Sequence, residues 1–230
     1  MDDETSDKGP WGDRAPPPEP LFNAPWPSLA IVVAIVGSYV WQTTLGGGDA
    51  AVLELGFAPI DLERGRWWSA LTVMFVHGGW THALMNALAA LTFGPPVARL
   101  IGRSAPGVLV FFVFYLVCGV LSSLGYAVLH LHDQQPVIGA SGAVSGLMGG
   151  ASRLMGGRGQ VQPLWSRPVV GFGMSWVLVN LLMAVVGGAP LMPGARIAWE
   201  AHIVGFAAGA LLLEPFARLG ALRLSRKEQS

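Results

Sequence analysis

Hydrophobic residues in this chain gather in long unbroken runs, and the polar ones are confined to short joints between them. Runs bounded by charges, glycine and proline fall near 28–45, 82–97, 106–129, 141–155, 169–186 and 201–216. A helix rises about 1.5 Å per residue and a bilayer core is about 30 Å thick, so stretches of this length read as about six membrane-spanning helices. The expected class is all-α, a polytopic membrane protein with a six-transmembrane-helix domain over 27–217. The acidic, proline-rich start, MDDETSDKGPWGDRAPPPEP, lacks the basic opening and apolar core of a cleaved signal and is expected to be a disordered tail over 1–26. A short basic tail is expected over 218–230.

Composition agrees with the pattern: 52% of residues are hydrophobic and 12% charged, a balance that a water-soluble domain of 230 residues would struggle to hide. Fourteen basic and 14 acidic residues cancel, so nothing points to nucleic acid as a partner. Position matters more than the sum. Arg99, Arg103, Arg153, Arg158, Arg167, Arg218, Arg223, Arg226 and Lys227 follow the second, fourth and sixth runs, whereas the opposite joints hold only Arg64, Arg66 and Arg196. Basic residues collect on the cytoplasmic side, which places both termini there, as in a bacterial inner membrane, and sends those three helices from the outer face inward. Trp26, Trp67, Trp68, Trp80, Trp165 and Trp199 are expected at the interfaces. The single cysteine, Cys118, lies within an apolar run and reads as packing.

The polar residues most unusual for a bilayer sit in the first turns of those inward-running helices: His82 and Asn86, Ser141, and His202. The fourth run, roughly 15 residues or about 22 Å as helix, cannot cross a core of about 30 Å, so Ser141 should start below the outer surface. The broken segment HLHDQQPVIGA before it is expected to line a wet pocket, because irregular backbone at membrane depth is tolerated there.

Gly142, Gly146 and Gly150 recur every four residues, as do Ala201, Gly205 and Gly209, and small faces of this kind let two helix backbones approach closely. Such contact would bring Ser141 to the imidazole of His202, which has the basicity to take the hydroxyl proton and later return it to a leaving amine. Between Arg64 and Trp199 the only acidic residue is Asp133, in a loop, and Glu200 faces another side of its helix, which favours a dyad over a triad. The unpaired Ser141 backbone N–H, with Asn86 and His82 on one helical face, supplies candidate donors for an oxyanion. Each residue also has a plainer reading: serine as a helix N-cap, histidine and asparagine as helix glue. Zinc binding by His77, His82 and His202 is disfavoured by their spacing, so no cofactor or metal is expected. A soluble nucleophile elbow would need a preceding strand, and a small transporter duplicated halves.

Three motifs in this order, HGGWTHALMN at 77–86, GASG at 139–142 and AHIVGFAAG at 201–209, resemble the rhomboid family of intramembrane serine proteases across roughly 27–216. The resemblance implies a rhomboid-like bundle that cleaves transmembrane protein substrates near the ends of their membrane segments. It implies Ser141 as nucleophile, His202 as base, Asn86 and His82 as oxyanion donors, and Gly139 as part of the nucleophile motif. Three positions depart from the family's habit. Ser69 stands after Trp68 where an arginine is usual, Ala98 where an acid is frequent, and Ser145 where an aromatic often stacks near the histidine. These departures motivate an alternative, a proteolytically silent relative that binds membrane clients.

Overall fold

The computed structural model describes residues 24–102, 104–157, 160–186 and 198–225. Most of the expected N-terminal tail, residues 226–230 of the C-terminal one, and Arg103, Arg158 and Arg196 lie outside the described residues. The chain forms α1 (Trp26–Thr44), α2 (Asp49–Leu55), α3 (Ser69–Thr72), α4 (Trp80–Ile101), α5 (Ala105–Leu129), α6 (Ser141–Ser152), α7 (Arg167–Val186) and α8 (Trp199–Ser225). Single 3-10 turns at Pro59–Asp61 and Val73–Phe75 bend the connection between α2 and α4. Among the described residues the only β pairing is an isolated antiparallel bridge between Phe57 and Val137.

Among the described residues five helices, α1, α4, α5, α7 and α8, are long and apolar enough to cross a membrane. The six runs expected from the sequence are all helical, but the fourth, α6, has 12 residues and is too short to span. It reaches only about 18 Å at 1.5 Å per residue. Every residue from Ala143 to Ser152 is buried, so α6 is a core element enclosed by its neighbours. On the outside of the spans, Val33, Leu88, Leu109, Leu178, Leu182 and Val185 are exposed, the apolar surface that lipid rather than water would cover.

Glycine sets how tightly α6 is held. A side-chain carbon at Gly205 would collide with the carbonyl of Gly142, one at Gly209 with that of Gly146, and one at Gly149 with that of Phe206. On the α5 side, carbons at Gly142 and Gly146 would strike Ser122 and Cys118. Cys118 is therefore a packing residue, fully buried against α6. The expected row ran through Gly150, which instead faces the side chains of Phe114, Leu213 and Val97 at 3.3–3.4 Å. Eight residues advance an ideal helix about 80° beyond two full turns, whereas seven stay within about 20°, so Gly149 rather than Gly150 continues the stripe begun at Gly142.

The connection between α2 and α4 is tied down by Arg66. Its Nη2 donates to the carbonyls of Glu54 at 2.6 Å and Leu53 at 3.5 Å, at the end of α2, and its Nη1 lies 3.4 Å from Asp61 Oδ1. Ser69 is fully buried and donates its hydroxyl to the Arg66 carbonyl at 2.7 Å. The guanidinium that the family resemblance led one to expect after Trp68 thus comes from two residues before it. Gln42 of α1 clamps the backbone of His77, donating to its carbonyl at 3.0 Å and accepting its N–H at 2.9 Å. At the other end of α6, Arg153 is buried and donates to the carbonyls of Gln162 at 2.7 Å and Ala210 at 3.0 Å, with Glu214 at 3.4 Å. That arginine, read from sequence as a joint charge, ties α6 to α8.

Gly209→Val should force the α6 and α8 backbones apart, an overpacking cost of about 1–3 kcal/mol. Thermal unfolding in detergent should show a midpoint lowered by several degrees. Gly171→Ala, at a helical position with nothing within 4 Å, should leave the midpoint unchanged or raise it slightly.

Candidate active site

The approach to α6 is an extended strand-like segment. Phe57 and Val137 exchange backbone hydrogen bonds of 3.1 and 2.8 Å, and the Gly139 N–H donates to the Val73 carbonyl at 3.0 Å. Gly139 has φ +113°, and a side-chain carbon there would lie 2.5 Å from the His82 ring, so conformation and space both demand glycine. The Ala140 N–H points to His77 Nε2 at 3.5 Å. Burial, and secondarily the nearby His82, push His77 down to about 3, which keeps it neutral and able to accept. Ser141 then opens α6 with a backbone N–H that has no intrahelical acceptor.

His202 lies in the first turn of α8, and its Nε2 is 2.8 Å from Ser141 Oγ. The contact between Gly142 and Gly205 sits one residue from the serine and three from the histidine, so helix approach delivers the two side chains to each other. From α5, Ser122 donates to the carbonyl of Ala201 at 2.6 Å and fixes the first turn of α8. Neither acidic candidate reaches the ring. Glu200 pairs instead with His130, Oε1 to Nε2 at 2.9 Å, over the ring of Tyr126 at 4.3 Å.

The second nitrogen of His202 does have a partner: Nδ1 is 2.7 Å from Asn180 Oδ1 of α7. A search restricted to acidic residues passes over it. The signal is nonetheless present, because Asn180 is a lone amide inside the apolar run WVLVNLLMAVV, and polar residues within spans mark functional sites by default. Trp176, one turn earlier on α7, places its ring 6.2 Å from the His202 ring at 37°. The aromatic neighbour missing at Ser145 is thus supplied by another helix, while Ser145 itself is buried in the core.

His82 and Asn86 both approach Gly139. The Gly78 N–H points at His82 Nδ1 at 3.3 Å, so the neutral ring carries its proton on Nε2, the atom beside Gly139. Asn86 Nδ2 is buried without a hydrogen-bond partner and would lie 3.7 Å from a side-chain carbon at Gly139. A cavity of about 350 Å³ is lined by Met74, His82, Tyr126, Gln135, Ser141 and His202, where the sequence pattern predicted a pocket. His77 and His82 meet edge to face at 5.2 Å, and both nitrogens of His202 are engaged by Ser141 and Asn180, so the three rings do not point at one metal position. A proton acceptor on a hydroxyl, beside hydrogen-bond donors with nothing to hold, is the equipment of acyl transfer.

A family model described as the Rhomboid domain matches residues 64–218, more than half of the chain. The chain is 29% identical over 175 residues to "Putative rhomboid protease YdcA" of Bacillus subtilis (strain 168), covering 75% of this chain and 74% of that one. It is 36% identical over 197 residues to "RHOMBOID-like protein 4" of Arabidopsis thaliana, 83% of this chain but 46% of that longer protein. A shorter match, 33% over 87 residues, joins it to "Rhomboid protease GluP" of Bacillus subtilis, spanning 38% of this chain and 16% of the relative. With its bundle of apolar helices and this match across the core, the chain belongs to the rhomboid family of integral membrane proteins.

Proposed function

We propose that the protein is an intramembrane serine endopeptidase that hydrolyses peptide bonds in or near transmembrane segments of membrane-protein substrates. The observation that carries this reading is the 2.8 Å contact between Ser141 Oγ and His202 Nε2 on the wall of a cavity. His202 takes the hydroxyl proton as Ser141 Oγ bonds to the scissile carbonyl carbon, and the carbonyl π pair moves onto oxygen. That oxyanion is received by Asn86 Nδ2, His82 Nε2 and the Ser141 N–H. The imidazolium returns its proton to the leaving amine as the C–N bond breaks, and the acyl-enzyme is released when water repeats the sequence. Gly142, Gly205 and Gly209 support the pair by permitting the helix approach, and Gly139 by clearing room for His82.

Both termini are assigned to the cytoplasm of a bacterial cell, on the distribution of basic residues along the joints. Catalysis then takes place toward the outer face. The client-binding alternative drew on Ser69, Ala98 and Ser145; Arg66 and Trp176 supply in other ways what Ser69 and Ser145 lack, and Ala98 is buried within α4. No observation favours it over hydrolysis.

Ser141→Ala and His202→Ala should each abolish cleavage of a transmembrane reporter in liposomes, and each should lose labelling by a fluorophosphonate. Cleavage persisting in Ser141→Ala would overturn the assignment of the nucleophile. Asn86→Ala should lower kcat about 100- to 1000-fold with KM little changed, because the donor it removes acts on the oxyanion of the transition state. A rise in KM at constant kcat would instead make Asn86 a substrate-binding group.

A further inference from the structure

Asn180 holds the one ring nitrogen of His202 that the Ser141 contact leaves over. An asparagine amide is ambivalent at such a place. If its Nδ2 faced the ring, Nδ1 would have to accept, the neutral imidazole would carry its proton on Nε2, and no lone pair would remain for the serine proton. The choice is made one helical turn back. Asn180 Nδ2 lies 2.9 Å from the Trp176 carbonyl, which can only accept. The amide must therefore turn its NH2 toward Trp176 and its Oδ1 toward His202, which places the ring proton on Nδ1 and the lone pair of Nε2 before Ser141 Oγ. Carbonyl, amide, imidazole and hydroxyl form one directional chain from α7 to α6.

The rest of α7 shows how selective this contact is. Only Val169 and Asn180 of its described side chains are buried, and Leu178, Val179, Leu181 and Leu182 around the asparagine are exposed. An amide buried in an apolar bundle is costly unless both its ends are bonded, and here both are. A residue serving only as helix glue could use any acceptor or donor on α8; this one uses the nitrogen whose protonation decides whether His202 is a base.

We propose that Asn180 is a positioning residue that holds His202 in the Nδ1–H tautomer and in the orientation that aims Nε2 at Ser141. The inference rests on the protease reading and deepens it. The neutral amide does what a carboxylate does in a triad without placing a charge beside the histidine.

The test uses the full-length protein in liposomes, with Asn180→Leu, which keeps the bulk and removes the acceptor. Its kcat should fall about 100-fold or more with KM within about twofold, and thermal unfolding should stay near that of the unaltered protein. In 15N-histidine-labelled protein, the His202 signals, assigned by their loss in His202→Gln, should report Nδ1–H in the unaltered chain and a shift toward Nε2–H in Asn180→Leu. Should Asn180→Leu fail to fold, Asn180→Asp carries the decision. It should retain activity and move the acidic limb of the kcat profile to higher pH, since a carboxylate favours the imidazolium. An Nε2–H tautomer in the unaltered protein, an unchanged kcat in Asn180→Leu, or an unmoved acidic limb in Asn180→Asp would overturn the role. Ser141→Ala run in parallel separates the two readings: loss of cleavage there with full activity in Asn180→Leu removes only Asn180, whereas cleavage surviving in Ser141→Ala removes the protease reading as well.

Discussion

The close approach of α6 and α8 is the constraint on which the rest depends. Where Gly205 meets the Gly142 carbonyl and Gly209 meets that of Gly146, the backbones approach so closely that no side-chain carbon would fit between them. A serine side chain is short, and the hydroxyl of Ser141 reaches the imidazole only because its helix has been brought this close. The same contact allows α6 to stop after 12 residues, since a helix wrapped by others need not present an apolar flank to lipid along a full span.

Around that contact, polar groups are tied off with few exceptions. Ser122 bonds the Ala201 carbonyl, Ser123 the carbonyls of Ala70 and Gly119, Gln42 both backbone groups of His77, and Arg153 two carbonyls and a carboxylate. Apart from the Ser123–Gly119 bond, which stays within α5, these bonds join an element near the site to another part of the chain, so they fix geometry as well as removing the cost of a buried polar atom. Among the described residues five buried side-chain polar atoms have no hydrogen-bond partner, and Asn86 Nδ2 is one of them, placed beside Gly139, a residue that lines the cavity.

Much of this was legible in the sequence. Apolar run length gave the helices, although the fourth run, counted among about six spans, forms a 12-residue helix too short to cross. Small residues at helical spacing marked the α6–α8 contact, and polar residues in apolar first turns marked Ser141, His202, His82 and Asn86. What stayed hidden depended on three-dimensional crossing. Gly149 replaces Gly150 in the contact because a four-residue repeat drifts around a helix of 3.6 residues per turn. Asn180 shows in the sequence as a lone amide in an apolar run, but that it and Trp176 meet His202 depends on how α7 crosses α8. Arg66 takes up the anchoring of the connection between α2 and α4 from a position that no fixed spacing to Trp68 would select.

The way α6 is built also sorts the molecule by depth. Ser141 stands at the top of a stripe that continues downward through Gly142, Gly146 and Gly149 and ends at the buried guanidinium of Arg153. The Ser141–His202 contact occupies one end of this short rod, and what lies below it is packing and anchorage. On the proposed protease reading, substitutions along the rod have a graded phenotype: near its top they alter turnover in a folded protein, and toward its base they alter how much folded protein there is.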